Sequence, residues 1–294
     1  MPCAAGLIIL AGMLYFGTAG IPASTKGTGD TVAGLKRVRE LGLSGMEIEF
    51  VRNIYLRDHT APSVAYVAGK LGLRLSCHAP YYLNLNAASE EILQKSCAMV
   101  FNAARIAALA GAGSLVFHAG YYLKGESETV YQNIKTQLEL VLNRLWEEDI
   151  HITLRPEIAG KTSQFGTLSE LLRLCRELPG TAPAIDFAHL HAVTGRYNTY
   201  LEFAEVLTRV GETLGNESIN DLHLHVSGIE AGKSGERRHL NLQETDYQYE
   251  ELLQALADFK AGGLLICESP NIEDDAVLLH RTWRELMPHD CPKG

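Results

Sequence analysis

Metal-binding side chains end six short apolar runs of the sequence. The clearest run reads A-I-D-F-A-H over residues 184–189, where the carboxylate of Asp186 is followed three residues later by the imidazole of His189. A single D-x-x-H motif fits a hydrogen-bonded pair as well as it fits a metal site. The other five runs end in the following residues: His78, His118, Glu157, His225 and Glu268. This recurrence favours one shared metal site over unrelated pairs.

The chemistry that these side chains allow is that of a divalent metal ion. Imidazoles and carboxylates without thiolates suit Zn²⁺ or Mn²⁺ in a catalytic site with open coordination positions, rather than a closed structural zinc site. Several carboxylates that converge with no lysine among them do not all stay ionised unless a cation lies between them. Any one of these histidines alone is more often a packed or surface residue, so the prediction rests on the group.

The chain around these residues alternates between strand and helix patterns. Short apolar strands are predicted at 14–18, 46–50, 73–77, 114–117, 152–154, 183–185, 222–224 and 263–266. Amphipathic helices are predicted at 31–41, 63–71, 89–110, 126–146, 168–178, 200–214, 247–259 and 274–286. A loop is expected to bring His189 back over Asp186, and a long polar loop to connect the seventh strand to His239.

Eight βα units in strict alternation predict the α/β class and a single closed (β/α)8 barrel, a TIM barrel, rather than an open sheet. Such barrels run to about 250 residues, so a chain of 294 residues fits one domain, which we place at residues 14–290. Their chemistry lies at the C-terminal ends of the strands, and all six metal-binding positions fall there. The predicted site is therefore the mouth of the barrel.

Composition describes an ordinary soluble protein, with 46% hydrophobic and 21% charged residues. The net charge of -9 argues against a broadly basic nucleic-acid surface, although bound divalent cations invert the local sign around an acidic site. The six cysteines form no C-x-x-C pair, and we expect a reducing, cytoplasmic location.

The first 13 residues are apolar, lack the basic residues that open a secretory signal, and are too few to span a bilayer. We interpret residues 1–13 as an N-terminal extension, either the product of an upstream start or a loose tail. A small strand or plug beneath the barrel is the alternative. No membrane partner is expected.

Several strings of the sequence together resemble those of a known family. They read S-C-H-A-P-Y-Y-L-N-L, V-F-H-A-G, P-E-I-A-G, I-D-F-A-H, H-V-S-G, R-R-H-L-N-L and I-C-E-S-P. These strings resemble the endonuclease IV family, apurinic/apyrimidinic endonucleases on a xylose-isomerase-like barrel. The similarity covers nearly the whole chain. It implies a monomeric, zinc-dependent DNA-repair enzyme that hydrolyses the phosphodiester 5′ to abasic sites in duplex DNA.

The resemblance also implies a set of three zinc ions and the residues that hold them. The family's metal ligands fall here on three groups, which are His78, His118 and Glu157; Glu157, Asp186, His225 and Glu268; and His189 with His239. In this arrangement Glu157 bridges two ions, and Glu157 and Glu268 take part in catalysis. Tyr81 and Tyr82 follow the first histidine ligand and would contact DNA, filling the space of a flipped nucleotide.

One position departs from the family pattern. The family has an aspartate two residues before the last histidine, and Arg237 stands there in this chain. The neighbouring Glu236 is the expected substitute ligand, since its longer side chain reaches the same ion. Arg237 is then expected to point away from the ion, towards substrate phosphate.

Two other functions fit the same barrel. A sugar isomerase or epimerase needs one divalent ion and about four ligands, which Glu157, Asp186, His225 and Glu268 supply; the remaining histidines would then be surplus. A non-catalytic metal-binding scaffold is the third interpretation. The number of metal ions per chain separates these alternatives, with three favouring the nuclease and one the isomerase.

Overall fold

Eight parallel strands and a two-stranded hairpin form the sheets of the computed structural model, which describes residues 12–27 and 29–287. The barrel strands are β1 (Leu14–Ala19), β2 (Gly45–Glu49), β3 (Arg74–His78), β4 (Ser114–Phe117), β5 (Thr153–Pro156), β6 (Ala184–Asp186), β7 (Leu222–Val226) and β10 (Gly263–Cys267). The hairpin strands are β8 (Gly228–Gly232) and β9 (Gly235–Leu240), which pair antiparallel.

The strand order is β5-β4-β3-β2-β1-β10-β7-β6, and every neighbouring pair in the barrel is parallel. The two end strands, β5 and β6, meet through single bridges that join Leu154 to Thr181 and Glu157 to Ala184. We call this junction the β5–β6 seam. It closes the barrel through isolated bridges rather than a continuous ladder.

Helices surround the barrel and connect successive strands. They are α1 (Thr31–Glu40), α2 (Ala61–Leu71), α3 (Glu90–Leu109), α4 (Ser127–Glu147), α5 (Leu168–Glu177), α6 (Phe187–Thr194), α7 (Tyr200–Leu214), α8 (Tyr249–Asp258) and α9 (Glu273–Leu286). Within the described ranges, no helix combines the length and apolar character that crossing a membrane requires.

The hydrophobic core lies between the strands and the helices. Met46 and Ile48 of β2, for example, belong to one large buried apolar cluster, and so do Cys77 and Cys267. The alternate residues of the same strands face the barrel axis. Whereas interiors of TIM barrels are filled mainly by branched apolar side chains, this interior is largely polar. It carries buried carboxylates and imidazoles, which are Glu47, Glu157, Asp186, His223 and His225.

The predicted (β/α)8 fold is confirmed, and each predicted strand and helix is present with ends within two residues of the prediction. Two predicted loops were wrong. The segment after Asp186 is the helix α6, and the polar segment that ends at His239 contains the hairpin β8–β9. The interpretation of residues 1–13 falls mostly on residues 1–11, which lie outside the described residues, as do residues 288–290 at the predicted end of the barrel.

Candidate metal centre

The predicted ligands meet at the C-terminal end of the barrel, because parallel strands deliver their last inward-facing residues to one place. His78, Glu157, Asp186, His189 and His225 are each at most 3% exposed. The remaining four lie nearer to solvent and are partly buried: His118, Glu236, His239 and Glu268. The structure therefore brings all nine proposed ligands together.

Glu157 lies at the middle of this group, and its two carboxylate oxygens face different histidines. Oε2 lies 3.1 Å from His78 Nε2 and 3.3 Å from His118 Nε2. Oε1 lies 3.0 Å from His225 Nδ1 and 3.5 Å from His189 Nδ1. A carboxylate with one oxygen towards each of two ligand sets has the geometry of a bridging ligand.

Three sets of metal-binding atoms at the mouth converge closely enough to hold an ion each. Within a set, the ligand atoms lie within 4.8 Å of one another. The sets are His78, His118 and Glu157; Glu157, Asp186, His225 and Glu268; and Asp186, His189 and His239. Backbone contacts orient two of the imidazoles, since His78 Nδ1 lies 2.8 Å from Ala79 O and His189 Nδ1 lies 3.0 Å from Ile158 O. Each Nε2 atom is thereby presented to the site.

Asp186 ends β6 and begins α6 without an intervening loop. Its Oδ1 accepts a hydrogen bond of 2.7 Å from the backbone N–H of His189, which is an N-terminal cap. The first turn of α6 then brings His189 back over the strand end. The other oxygen, Oδ2, is buried, makes no hydrogen bond and lies 3.4 Å from His189 Nδ1. An orphaned buried carboxylate oxygen beside imidazoles fits a ligand of a divalent metal ion.

Glu236 and His239 both reach the site because the hairpin contains a β-bulge. Glu230 pairs with Arg238 while the next residue, Ala231, pairs with Glu236, so Arg237 is the extra residue on β9. The bulge shifts the alternation of side chains by one position. The Glu236 carboxylate lies 3.6 Å from His189 Nε2 and also 3.6 Å from His239 Nε2.

Arg237 points away from this set. Its side chain is 65% exposed and pairs with Glu230 at 3.3 Å, while the neighbouring Arg238 pairs with the same carboxylate at 2.8 Å. The position that carries aspartate in the endonuclease IV pattern therefore contributes no ligand atom here. The carboxylate one residue earlier occupies the space beside the two histidines.

Two glycines let the hairpin approach the barrel. The backbone N–H of Glu236 donates a 2.7 Å hydrogen bond to Gly160 O. A Cβ atom at Gly160 would lie 2.6 Å from His189 Cδ2 and 2.8 Å from Glu236 Oε2, and a Cβ at Gly235 would lie 2.2 Å from Gly160 O. Gly160, the last residue of P-E-I-A-G, therefore lies directly against the third ligand set and leaves no room for a side chain.

Burial and ion pairing act in opposite directions on the pKa values of this group of side chains. Burial alone would raise the pKa of Glu157, but His118, His225 and His78 hold it well below its ordinary value. Burial lowers the pKa of His118 to about 4, which leaves that imidazole neutral. Burial also disfavours charged His78, yet its hydrogen bond to Glu157 raises its pKa to about 10. A metal ion held by this set would displace a proton from His78.

A family model described as xylose isomerase-like TIM barrel matches residues 35–287. The chain belongs to the xylose isomerase-like TIM barrel family. An uncharacterized protein of Methanocaldococcus jannaschii is 43% identical over 275 residues, which are 93% of this chain and 98% of that protein. A probable endonuclease 4 of Aster yellows witches'-broom phytoplasma is 25% identical over 183 residues, which are 61% of each chain.

Solved structures of this family's fold include both epimerase-like and nuclease proteins. A D-tagatose 3-epimerase-like protein has a TM-score of 0.71 and 19% identity, covering 92% of this chain and 97% of its own. Endonuclease IV from Thermus thermophilus has a TM-score of 0.70 and 22% identity, covering 92% of this chain and 99% of its own. At such identities the likeness establishes the shared fold alone.

The remaining predicted contacts lie at the rim of this xylose isomerase-like barrel. Tyr81 is 47% exposed and Tyr82 is 71% exposed. The Tyr81 ring packs 5.3 Å from the His78 ring, so it borders the metal centre, whereas Tyr82 faces solvent more fully. Both follow β3 directly.

Sequence reasoning missed the polar residues of β2. Glu47 is fully buried beneath the centre, and Glu47, Glu49 and Glu268 bring carboxylate oxygens within 4.8 Å of one another. The signal was present in M-E-I-E, whose two glutamates alternate with core residues and must share the inward face of the strand. His223 is buried beside Glu47, with its Nε2 atom 3.0 Å from Glu47 Oε2.

Proposed function

We infer that this protein is a zinc-dependent endonuclease that hydrolyses the phosphodiester 5′ to abasic sites in duplex DNA. The observation that carries this inference is the Glu157 carboxylate, which divides its oxygens between two sets of imidazoles. One ion would use only one of these sets. The third set around His189 and His239 adds donors that single-ion sugar chemistry does not need.

The donor set fits divalent metal ions, because the buried residues are imidazoles and carboxylates, with an orphaned oxygen on Asp186. When bound, zinc ions supply hydroxide near neutral pH and neutralise charge on the phosphate and leaving oxygens. Glu157 holds the two ligand sets together at a fixed distance. Glu268, whose side chain is 12% exposed beside His225, is the proposed acceptor of the proton from water.

Binding of a flipped-out abasic nucleotide is assigned to the rim. Tyr81 and Tyr82 are exposed next to the centre and present aromatic faces that can stack in the space which the nucleotide vacates. Arg237 and Arg238 extend from the hairpin and lie within reach of a phosphate backbone at the mouth. Both pair with Glu230, so this part of the rim keeps one positive charge on a chain whose net charge is -9.

The direct test is a duplex with a single abasic site, incubated with zinc-loaded protein. We expect one cut on the 5′ side of the lesion, no cut in the matched undamaged duplex, and loss of cutting after chelation. Metal content is measured on the same preparation, and about three zinc ions per chain are expected, the count that three open ligand sets would take. An intact damaged duplex with a fully loaded centre would contradict this function.

A single-metal sugar epimerase or isomerase is the second candidate. It is favoured by one observation, which is that Glu157, Asp186, His225 and Glu268 form a complete ligand set by themselves. It would bind one ion per chain and act on a ketose without cutting DNA. Incubation with free ketoses and analysis of the sugars produced tests it separately.

A further inference from the structure

A carboxylate lies one layer beneath the proposed metal centre, on a strand that contributes no proposed ligand. Glu47 of β2 has no solvent exposure. Burial of a charged carboxylate is costly unless hydrogen-bond donors surround it. The residues around Glu47 therefore indicate what the charge is used for.

Three side chains direct polar atoms at the two oxygens of Glu47. Oε2 accepts a 2.6 Å hydrogen bond from the Ser76 hydroxyl and lies 3.0 Å from His223 Nε2. Oε1 lies 2.9 Å from His225 Nε2. Oε1 makes no hydrogen bond of good geometry, and His225 Nε2 is the ring nitrogen that faces it. Because an ionised carboxylate only accepts hydrogen bonds, hydrogen on this Nε2 atom is what would compensate the buried oxygen. The two Nε2 atoms are 3.3 Å apart, side by side over the same carboxylate.

This contact determines which nitrogen of His225 is available to a metal ion. With hydrogen on Nε2, the lone pair of neutral His225 lies on Nδ1. That atom is 3.0 Å from Glu157 Oε1 and 3.4 Å from Glu268 Oε1. The nitrogen that faces the ligand set is therefore the one that Glu47 leaves free.

We propose that Glu47 is a positioning residue, which holds His225 in the Nε2–H form and in the orientation that presents Nδ1 to the metal centre. His223 and Ser76 occupy Oε2 and so leave Oε1 to His225. Carboxylates that accept the second N–H of a ligating histidine commonly strengthen metal binding in this way. The proposal rests on the metal centre of the proposed function, and it holds for nuclease and epimerase chemistry alike.

The first test uses Glu47→Gln, which keeps the shape and removes the charge, with Glu49→Gln as its matched control. Both substitutions remove one carboxylate of β2 near the centre, but Glu47 alone contacts His225. Zinc affinity is measured by competition with a chelator of known affinity at fixed pH. Glu47→Gln is expected to weaken the affinity about 10- to 100-fold, and Glu49→Gln to change it much less. Equal losses in the two variants would overturn the proposal in favour of a general charge effect.

The second test needs no variant. Long-range proton–nitrogen NMR spectra of zinc-loaded protein with ¹⁵N-labelled histidine distinguish the two nitrogens of each ring. His225 is expected to carry hydrogen on Nε2 and zinc on Nδ1; the reverse arrangement would overturn the proposal. Zinc on both nitrogens would instead make Glu47, His223 and His225 a metal site of their own, and would equally overturn it.

Neither measurement involves a substrate, so the outcomes separate this inference from the proposed function. A protein that fails to cut abasic DNA but loses zinc affinity in Glu47→Gln would refute the nuclease and support the role of Glu47. A protein that cuts abasic DNA but keeps its zinc affinity in Glu47→Gln would support the nuclease and refute the role of Glu47.

Discussion

Glu157 joins two ligand sets through one side chain, so its charge affects more of the centre than that of any single histidine. Each of its oxygens lies within 3.5 Å of two imidazole nitrogens. The sequence placed this glutamate at a strand end, and the resemblance suggested a bridge. The division of its oxygens depends on how β5 is oriented relative to β3 and β7, which no local pattern encodes.

At this residue, Glu157→Gln is expected to lower metal content and cleavage of abasic DNA together, with cleavage falling at least 100-fold. The amide keeps the volume but removes the negative charge that two ions would share. Elemental analysis and the cleavage assay provide the measurements, and Glu139→Gln on the exposed face of α4 is the control. Wild-type activity in Glu157→Gln would exclude a two-metal site.

Glu236 and Arg237 are expected to separate metal binding from DNA binding. Glu236→Ala removes the carboxylate beside His189 and His239, and should lose about one metal ion per chain and most activity. Arg237→Ala should keep all its metal but bind DNA more weakly, with a salt slope reduced by about 1 if one phosphate contact is lost. Circular dichroism checks that both variants fold.

Metal content decides whether Glu236 is a ligand. If Glu236→Ala retains the metal content of the wild type, the carboxylate is not a substitute for the aspartate of the family pattern. If Arg237→Ala loses metal, the arginine supports the site rather than the substrate.

Two elements explain what the sequence did and did not predict. The eight βα units were evident because apolar strands and amphipathic helices have different periods. The helix α6 was missed because Asp186 ends a strand and caps the helix at once, which leaves no turn residues to mark the boundary. The hairpin was missed because β8 and β9 consist mainly of glycines and polar residues, and its bulge breaks the alternation that identifies a strand. Both of these elements, α6 and the hairpin, carry proposed ligands: His189, Glu236 and His239.

The hairpin also yields a prediction that concerns an element rather than a ligand. Gly160→Ala places a methyl group 2.6 Å from His189 Cδ2 and 2.8 Å from Glu236 Oε2, so the hairpin must move outward. We expect the loss of about one metal ion and no loss of helical content. Gly69→Ala in α2 is the control, since no atom lies within 4 Å of its Cβ position. An unchanged metal content in Gly160→Ala would mean that the hairpin docks differently.

Across the whole molecule, the polar barrel interior links folding stability to pH. Burial raises the pKa of Glu268 to about 8 and that of Glu49 to about 8, from an ordinary value of 4.5. Their protonated forms are therefore favoured in the folded state. This contribution to stability is fully present below the unfolded pKa and is lost as pH rises through the folded pKa.

Metal-stripped protein is accordingly expected to melt at progressively lower temperature from about pH 5 to about pH 8. His78 has a pKa of about 10 in the folded protein, so it extends this loss of stability to pH values above 8. Zinc-loaded protein should show a weaker dependence, because the ions compensate the carboxylate charges. Thermal melts by circular dichroism across this range measure both forms. Parallel pH profiles of the two forms would indicate that Glu268 is not a metal ligand.

The β5–β6 seam has a mechanical consequence for the barrel. Single bridges join the two strands, yet Glu157 stands on one side and Asp186 on the other, and both belong to the same ligand set. An ion bound by both residues would link β5 and β6 across the one strand junction of the described barrel that lacks a continuous ladder. Without it, opening should begin here, and the amides of Ile158 and Ala182, which bond across the seam, should exchange with deuterium sooner than those between β1 and β10. Zinc should selectively slow the exchange of the Ile158 and Ala182 amides. Metal binding would then close the barrel and complete the ligand set in a single step.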